Sequence, residues 1–461
     1  MSGTSLTPTD QHLWLNTHQR GQKLPRAVKG EGVFVIDETG KRYLDGSAGP
    51  ALFCVGHGNR EVIEAIKAQY DNLQFGYTSD FSSDAIEGLA EIVTRQAGGT
   101  LNRVMFGSGG SEATETAIKV ALHYQMARGC SGRTQFISRR QSWHGYTMGA
   151  LALSGHPARR RPFVSALMPV THVSPANAYR PPAGADQAMG EEALSVWLAA
   201  ELEREILRIG AERVAAFFFE PIVGAAGGAV PAPAGYAKRI QDVCRRYGVL
   251  MIADEVMCGV GRSGTWRALA HDGVEPDVMY TAKGLAGGYA PLCAVILTDH
   301  VYETITERFG TVGTSGHTYS GHTAACAAGL AVQKIIERDG LVAKCATDGD
   351  YLKQALVSAF GEHPHVGDIR GRGMFVAIEL VKDRATKEPF APELLLSKKI
   401  RDTAYELGLL CYPSAGTADG YRGDHVLLSP PYTISRAEID QMVDLLAKSL
   451  RQVLSPVTGA R

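Results

Sequence analysis

The chain has 461 residues, of which 45% are hydrophobic. That is enough to bury a large core, in two or three domains or in one large domain with a smaller one attached. Its 47 basic and 48 acidic side chains nearly cancel, which excludes a net field for nucleic acid or an anionic membrane and leaves charge recognition to local groups.

In chain order, residues 31–45 (EGVFVIDETGKRYLD) alternate apolar and polar positions around a Glu-Thr-Gly turn, predicting a hairpin. Apolar residues at three-to-four spacing then predict helices over 60–70, 111–124 and 234–248. Between them lie short, mainly apolar runs, RVMF (103–106), AAFFFEPI (215–222), VLMIADEV (249–256), DVMYTAK (277–283) and CAVILTD (293–299), and the strand-like TQFISRR (134–140). Strands of this kind are buried on both faces, and their alternation with helices predicts a mainly parallel sheet with helices on each side, an α/β core. From about residue 331 the pattern changes to long amphipathic helices around GRGMFVAIEL (371–380), LGLLCYP (407–413) and HVLLSPPY (425–432). These predict a smaller α+β domain. The expected division is an N-terminal segment 1–60 that joins the small domain, a large domain 61–330, and a C-terminal small domain 331–461.

The polar start, MSGTSLTPTDQHLW, has no basic segment followed by an apolar run, and nowhere do 18 apolar residues follow one another. The expectation is a cytoplasmic protein with no membrane partner. Eight cysteines are scattered singly, without a CxxC pair, so reduced core thiols are expected and neither disulfides nor a metal is indicated.

Ligands of an open parallel sheet bind beyond the carboxyl ends of its strands. Four such positions carry chemistry. RVMF-GSGG-SEATETAIK reads as strand, glycine-rich turn and helix start, where free N–H groups and the helix dipole favour an anion; Ser111 could equally cap the helix. A dinucleotide fingerprint fits poorly, because Glu112 stands where a third glycine should. Trp143-His144-Gly145 offers an indole to a planar ligand, or simply a packed aromatic beside a core histidine. Asp254 ends an apolar strand, where it could cap a turn or hold a heteroaromatic nitrogen protonated, with Val256 packing on the ring. Lys283 precedes Gly-Leu-Ala-Gly-Gly; in an enclosed site it would lose part of its charge and become a nucleophile, although a lone lysine there is commonly solvated. Together the four match the contacts that pyridoxal phosphate requires.

The same segments, with GVFVIDETGKRYLDG, FFFEPIVGAAGG, GHTYSGHTAACAAGLA and HVLLSPPYTISRAEID, resemble the class III pyridoxal-phosphate aminotransferases, or omega-transaminases, over nearly the whole chain. The resemblance implies fold type I, with a mainly parallel seven-stranded sheet. It also implies pyridoxal 5'-phosphate held by Lys283, with Asp254 on the pyridine nitrogen and Trp143 in place of the family's stacking tyrosine or phenylalanine. Val256 would cover the other ring face, and Gly110 and Ser111 would bind the phosphate. Thr318 matches a threonine that reaches the phosphate from a neighbouring subunit, which implies a homodimer with sites at the interface; a tetramer stays open. Glu220 matches a family glutamate near the site.

The implied reaction is a ping-pong transfer of an amino group from an amine or omega-amino acid to a keto acid, with pyruvate the family's commonest acceptor. Alternatives that share the fold are a decarboxylase, an aminomutase or a racemase. More distant ones are a nicotinamide-dependent dehydrogenase and a non-catalytic binding protein. Where many omega-transaminases read GLWCVNVGYG this chain has GPALFCVGHG, so Ala51 stands for a tryptophan and a roomier substrate pocket is expected. Arg422 is a candidate for the acceptor's carboxylate, offset from the family's usual arginine. His317 and Thr323 mark further differences at the pocket edge. The clusters Arg139-Arg140 and Arg159-Arg160-Arg161 are expected on solvated surface.

Overall fold

The computed structural model describes residues 24–313 and 316–458; the first 23 residues of the expected N-terminal segment lie outside it. Seven strands form the central sheet. Side by side they are Arg103–Gly107, Cys293–Leu297, Val278–Thr281, Leu250–Asp254, Val214–Phe219, Gln135–Arg139 and Val170–Val173. Cys293–Leu297 runs antiparallel to both neighbours, whereas the other pairings are parallel.

The apolar runs that predicted these strands are buried on both faces. In Val214–Phe219, Phe217 and Phe219 stack with 5.6 Å between centroids on one face, while Phe218 meets Phe136 edge-on from the other. Helices Glu191–Ile209 and Tyr236–Tyr247 cover the first face through Leu198, Leu202, Ile240 and Val243. Helix Gly110–Ala127 covers the second through Ala113, Ala117, Ile118 and Ala121. Burying each phenylalanine contributes roughly 1.5–3 kcal/mol, so this sheet centre is a stiff base for groups at the strand ends.

One expectation about the core is corrected. Arg139 is only 1% exposed; its guanidinium lies 5.5 Å from the rings of both Phe219 and Tyr236 and donates to the carbonyl of Glu220. Two flat rings and a carbonyl replace water for it. Arg140 is exposed as expected.

The predicted hairpin is Phe34–Asp37 against Arg42–Asp45, extended by Ala27–Glu31 on one side. On its other side Leu409–Leu410 pairs with Arg42–Asp45. A separate antiparallel sheet orders Val366–Arg372, Phe375–Leu380, Asp424–Leu428 and Tyr412–Ala415; helices Leu341–Phe360 and Leu396–Glu406 pack beside it, and Arg436–Thr458 packs on those two helices. No helix among the described residues is long and apolar enough to cross a membrane.

Candidate active site

A cavity of about 350 Å³ opens beyond the carboxyl ends of the central strands, and Gly110, Ser111, Trp143, Glu220, Asp254, Val256 and Lys283 all line it. They arrive from several separate elements of the fold, and the local geometry explains how.

Asp254 closes its strand on the face that carries Leu250 and Ile252, because side chains two apart share a face. It is 4% exposed and fully engaged: Nδ1 of His144 donates to it at 2.8 Å, the Tyr280 hydroxyl at 3.0 Å and the Val256 amide at 3.0 Å. Tyr280 reaches it because the two residues are paired in register across adjacent strands. Three partners fix the direction of the buried carboxylate. His144 is held in turn by Ser138 at 3.2 Å on its other ring nitrogen and by Thr114, whose hydroxyl donates to the His144 carbonyl at 2.7 Å. Val256 lies past the strand end, in the following turn, rather than on the strand.

Lys283 follows Val278–Thr281 and opens a short 3₁₀ turn, with φ of 44°, in the left-handed region that side chains with a Cβ seldom adopt. Burial lowers its ammonium pKa to about 8, against the opposing pull of Asp254 and Glu220. At neutral pH it is poised between charged and nucleophilic forms.

Glu220 is 3% exposed and accepts from the amides of Trp143 and Gly224, both at 2.9 Å. Burial first, and Asp254 second, raise its pKa above the usual carboxylate range. Its amide contact fixes the backbone at Trp143, whose ring lines the cavity.

The helix start is Gly110, one residue earlier than read from the sequence, and Gly109 is the N-cap with no side chain to cap it. Ser111 does not cap either. Its hydroxyl accepts from the Tyr146 amide at 3.0 Å, which ties the Trp143-His144-Gly145 turn to the helix start. The approach is close: a Cβ on Gly145, at φ of 141°, would sit 2.7 Å from the Ser111 hydroxyl, and one on Gly110 would sit 3.1 Å from Val256. An 18-residue helix thus aims its dipole and its first-turn amides at the cavity.

The class-III aminotransferase model matches residues 17–450. The chain belongs to that family. Over 454 residues, 98% of each chain, this aminotransferase is 40% identical to an uncharacterised aminotransferase of Schizosaccharomyces pombe. It is 37% identical to a diaminobutyrate–2-oxoglutarate transaminase of Halomonas elongata, covering 93% of this chain and 90% of that one. The omega-transaminase of Pseudomonas jessenii, solved in complex with PMP, superposes with a TM-score of 0.88 at 34% identity, covering 95% and 94% of the two chains. Class III aminotransferases use pyridoxal phosphate, and their fold is the type I architecture described above.

Thr318, Ala51 and Arg422, singled out from the sequence, do not line this cavity, nor do the expected pocket-edge residues His317 and Thr323. Thr318 is exposed, beside His317, whose Nε2 lies 3.0 Å from Glu112 of the helix start. Ala51 is 4% exposed in an apolar cluster with Ile222, Met257 and Phe375, while its neighbours Pro50 and Leu52 reach the cavity wall. Arg422 is exposed and paired with Asp419 at 2.7 Å within its own loop. Arg161 is exposed, but Arg159 and Arg160 are half-buried rather than on solvated surface. Sequence reasoning also missed Tyr280 and the role of His144. The sequence marks His144 only as part of a tripeptide, and Tyr280 carries no signal beyond lying three residues before Lys283.

Proposed function

We propose that this class III aminotransferase is of the omega type, moving an amino group from an amine or omega-amino acid to a keto acid, pyruvate first among them, in two successive half-reactions. The observation that carries the reading is the convergence on one cavity of Lys283, Asp254, the Trp143 ring and an uncapped helix start. Those groups fit pyridoxal phosphate: amides and dipole for the phosphate, indole and Val256 for the ring faces, a fixed carboxylate for the ring nitrogen, and an amine for the aldehyde.

Pyridoxal phosphate, when bound, supplies an electron sink for the carbon that bears the amine. The protein's own part is proton management and positioning. Lys283, with its pKa near 8, takes the proton from the amine-bearing carbon of the donor and redelivers it, a role that needs an amine able to hold and release protons near neutrality. Asp254 is oriented by His144, Tyr280 and the Val256 amide, so its charge is fixed before any substrate arrives. Glu220 keeps the backbone of Trp143 in place through its amide. The donor leaves as a ketone or aldehyde, and the keto acid leaves as an amino acid.

Two finer points belong to the same reading. Ala51 shares an apolar cluster with Met257, which lines the cavity; a small residue in that cluster leaves room for the wall to give, and substrates larger than small alkylamines fit. Thr318, with Tyr146 and Tyr319 at 84% and 58% exposure, belongs on the face that a second copy of the chain covers, as a homodimer with sites at the interface requires.

The test is spectroscopic. Purified protein has a visible absorbance that bleaches on adding an amine and returns with pyruvate. Release of carbon dioxide, or conversion without any keto-acid requirement, would move the assignment to a decarboxylase, aminomutase or racemase. A chain that elutes as a monomer at micromolar concentration sinks the dimer.

A further inference from the structure

One wall of the cavity is built on a loop whose backbone does not hold its own shape. From the end of strand Arg42–Asp45 the chain runs out to the cavity, where Pro50 and Leu52 line it, and returns to the N-terminal hairpin at His57. There His57 and Gly32 exchange backbone hydrogen bonds of 2.7 and 3.0 Å. Between these points Ala48 and Ala51 have φ of 48° and 65°, in the left-handed region that residues with a Cβ seldom adopt. Backbone of this kind persists only where its surroundings over-determine it.

Asp45 and His57 supply that restraint from the two ends of the loop. Nε2 of His57 donates to Oδ2 of Asp45 at 2.8 Å, and the two side chains are 11% and 2% exposed. The other carboxylate oxygen of Asp45 turns inward, accepting from the Ser47 hydroxyl at 3.3 Å and from the Gly49 amide at 3.4 Å. The His57 ring also backs Phe53, with centroids 4.2 Å apart. Phe53 in turn lies so close to Gly288 that a Cβ there would sit 2.6 Å from its ring. One buried contact therefore closes the loop, braces the left-handed turn and seats the residue that follows Leu52.

A second set of contacts ties the far part of the loop to the Lys283 turn without using this pair. The Cys54 thiol donates to the Gly284 carbonyl at 3.3 Å, and the Tyr289 hydroxyl donates to the Gly56 carbonyl at 2.8 Å. Losing the Asp45–His57 contact thus frees residues 47–53 and leaves the surroundings of Lys283 pinned.

We propose that Asp45 and His57 are positioning residues that fix the wall carrying Pro50 and Leu52, and through it set how tightly the amine donor is held, with no part in cofactor capture. The inference rests on the aminotransferase reading above and deepens it on the donor side. A misplacement of about 1 Å in a positioning element can cost up to about a hundredfold, so a loosened wall shows in the kinetics.

Amide hydrogen exchange and steady-state kinetics with 1-phenylethylamine and pyruvate test this together on the holoenzyme. In wild type the amides of Gly49, Ala51 and Leu52, all hydrogen-bonded within the loop, exchange slowly. His57→Phe keeps a ring against Phe53 but removes the donor to Asp45. It speeds exchange across 47–53 about tenfold while the central strands stay protected, and it raises the KM for the amine about tenfold with kcat within about twofold. The affinity of stripped protein for pyridoxal phosphate, read by absorbance, stays within about twofold of wild type. Asp45→Asn, which keeps an acceptor for His57, retains most of the affinity for the amine. Fast exchange of the three amides in wild type overturns the proposal, whether or not the variants fold. So does a His57→Phe protein with unchanged exchange in the loop, with faster exchange but the wild-type KM, or with cofactor affinity falling in step with KM, the mark of a general loss of structure. Absence of visible absorbance, or of turnover with amine and keto acid, would overturn the aminotransferase reading instead, and the exchange measurement still reports on the pair.

Discussion

The cavity floor and the shelf beside Trp143 are neighbours built on opposite principles. On the floor, Asp254 has three donors and Glu220 two, all supplied by the protein. On the shelf, Arg159 has one backbone carbonyl, His156 has two orphaned ring nitrogens, and Arg160 has a buried Nε without an acceptor. A satisfied network is rigid and ready before the ligand comes; an unsatisfied one stays costly until something supplies the missing partner. The groups of the cavity floor are therefore locked by the fold, while those of the shelf keep unsatisfied hydrogen-bonding capacity.

Substitutions can break this contrast, beginning with the floor. Lys283→Ala should lower turnover by about 10³-fold or more, because both the nucleophile and the proton carrier are lost; steady-state kinetics with amine and pyruvate check it, and near wild-type turnover would end the mechanism. Asp254→Ala should cost about 10²-fold in kcat, the scale of a lost fixed charge facing a developing one, and should shift the visible absorbance as well. Tyr280→Phe removes one of three donors to that charge, and a loss of roughly tenfold is expected. A smaller loss would mean that His144 and the Val256 amide suffice.

The pH dependence sharpens the same comparison. Burial lowers the Lys283 pKa to about 8, so the amine is mostly protonated below that value and free above it. Stripped protein should capture added pyridoxal phosphate faster as pH rises, levelling off above about 8; stopped-flow absorbance reads the profile. On the shelf, burial pushes His156 down to about 4. The folded chain takes up that proton only near pH 4, whereas the unfolded chain takes it up near 6.5, so the unfolded state binds more protons in between and stability falls as pH drops through that window. Thermal melting between pH 7 and 4 should show the decline, and His156→Gln should flatten part of it.

Arg422→Ala is the smallest expected effect, within about twofold in every kinetic constant, since an exposed pair with Asp419 contributes little. A large rise in the KM for the keto acid would return the carboxylate to Arg422.

Much of this was legible in the linear chain. Continuous apolar runs identify the central strands because strands buried on both faces have no polar side to show. Their ends mark Asp254 and Lys283 because a charged residue stands out at the close of such a run. The glycines around Gly110 mark a close approach. Boundaries drifted by one or two residues, moving Ser111 inside the helix and Val256 past its strand, because the last hydrogen bond of an element is decided by its neighbours and not by its own residues.

Arg139 and Arg159 were misjudged for a different reason: an arginine cluster in sequence gives no hint that rings from distant segments stand ready to cover it. Tyr280 was invisible because its meaning depends on register with Asp254, 26 residues earlier in the chain. Residue type and local periodicity therefore determined the sheet, and the family resemblance singled out Lys283 and Asp254 as the residues proposed to carry the chemistry. Which side chains orient Asp254, and which cation lies against Trp143 without a carboxylate, were decided only when strands, turns and loops from separate parts of the chain met, since hydrogen bonding and ion pairing are settled over a few ångströms in space and leave no period in the sequence.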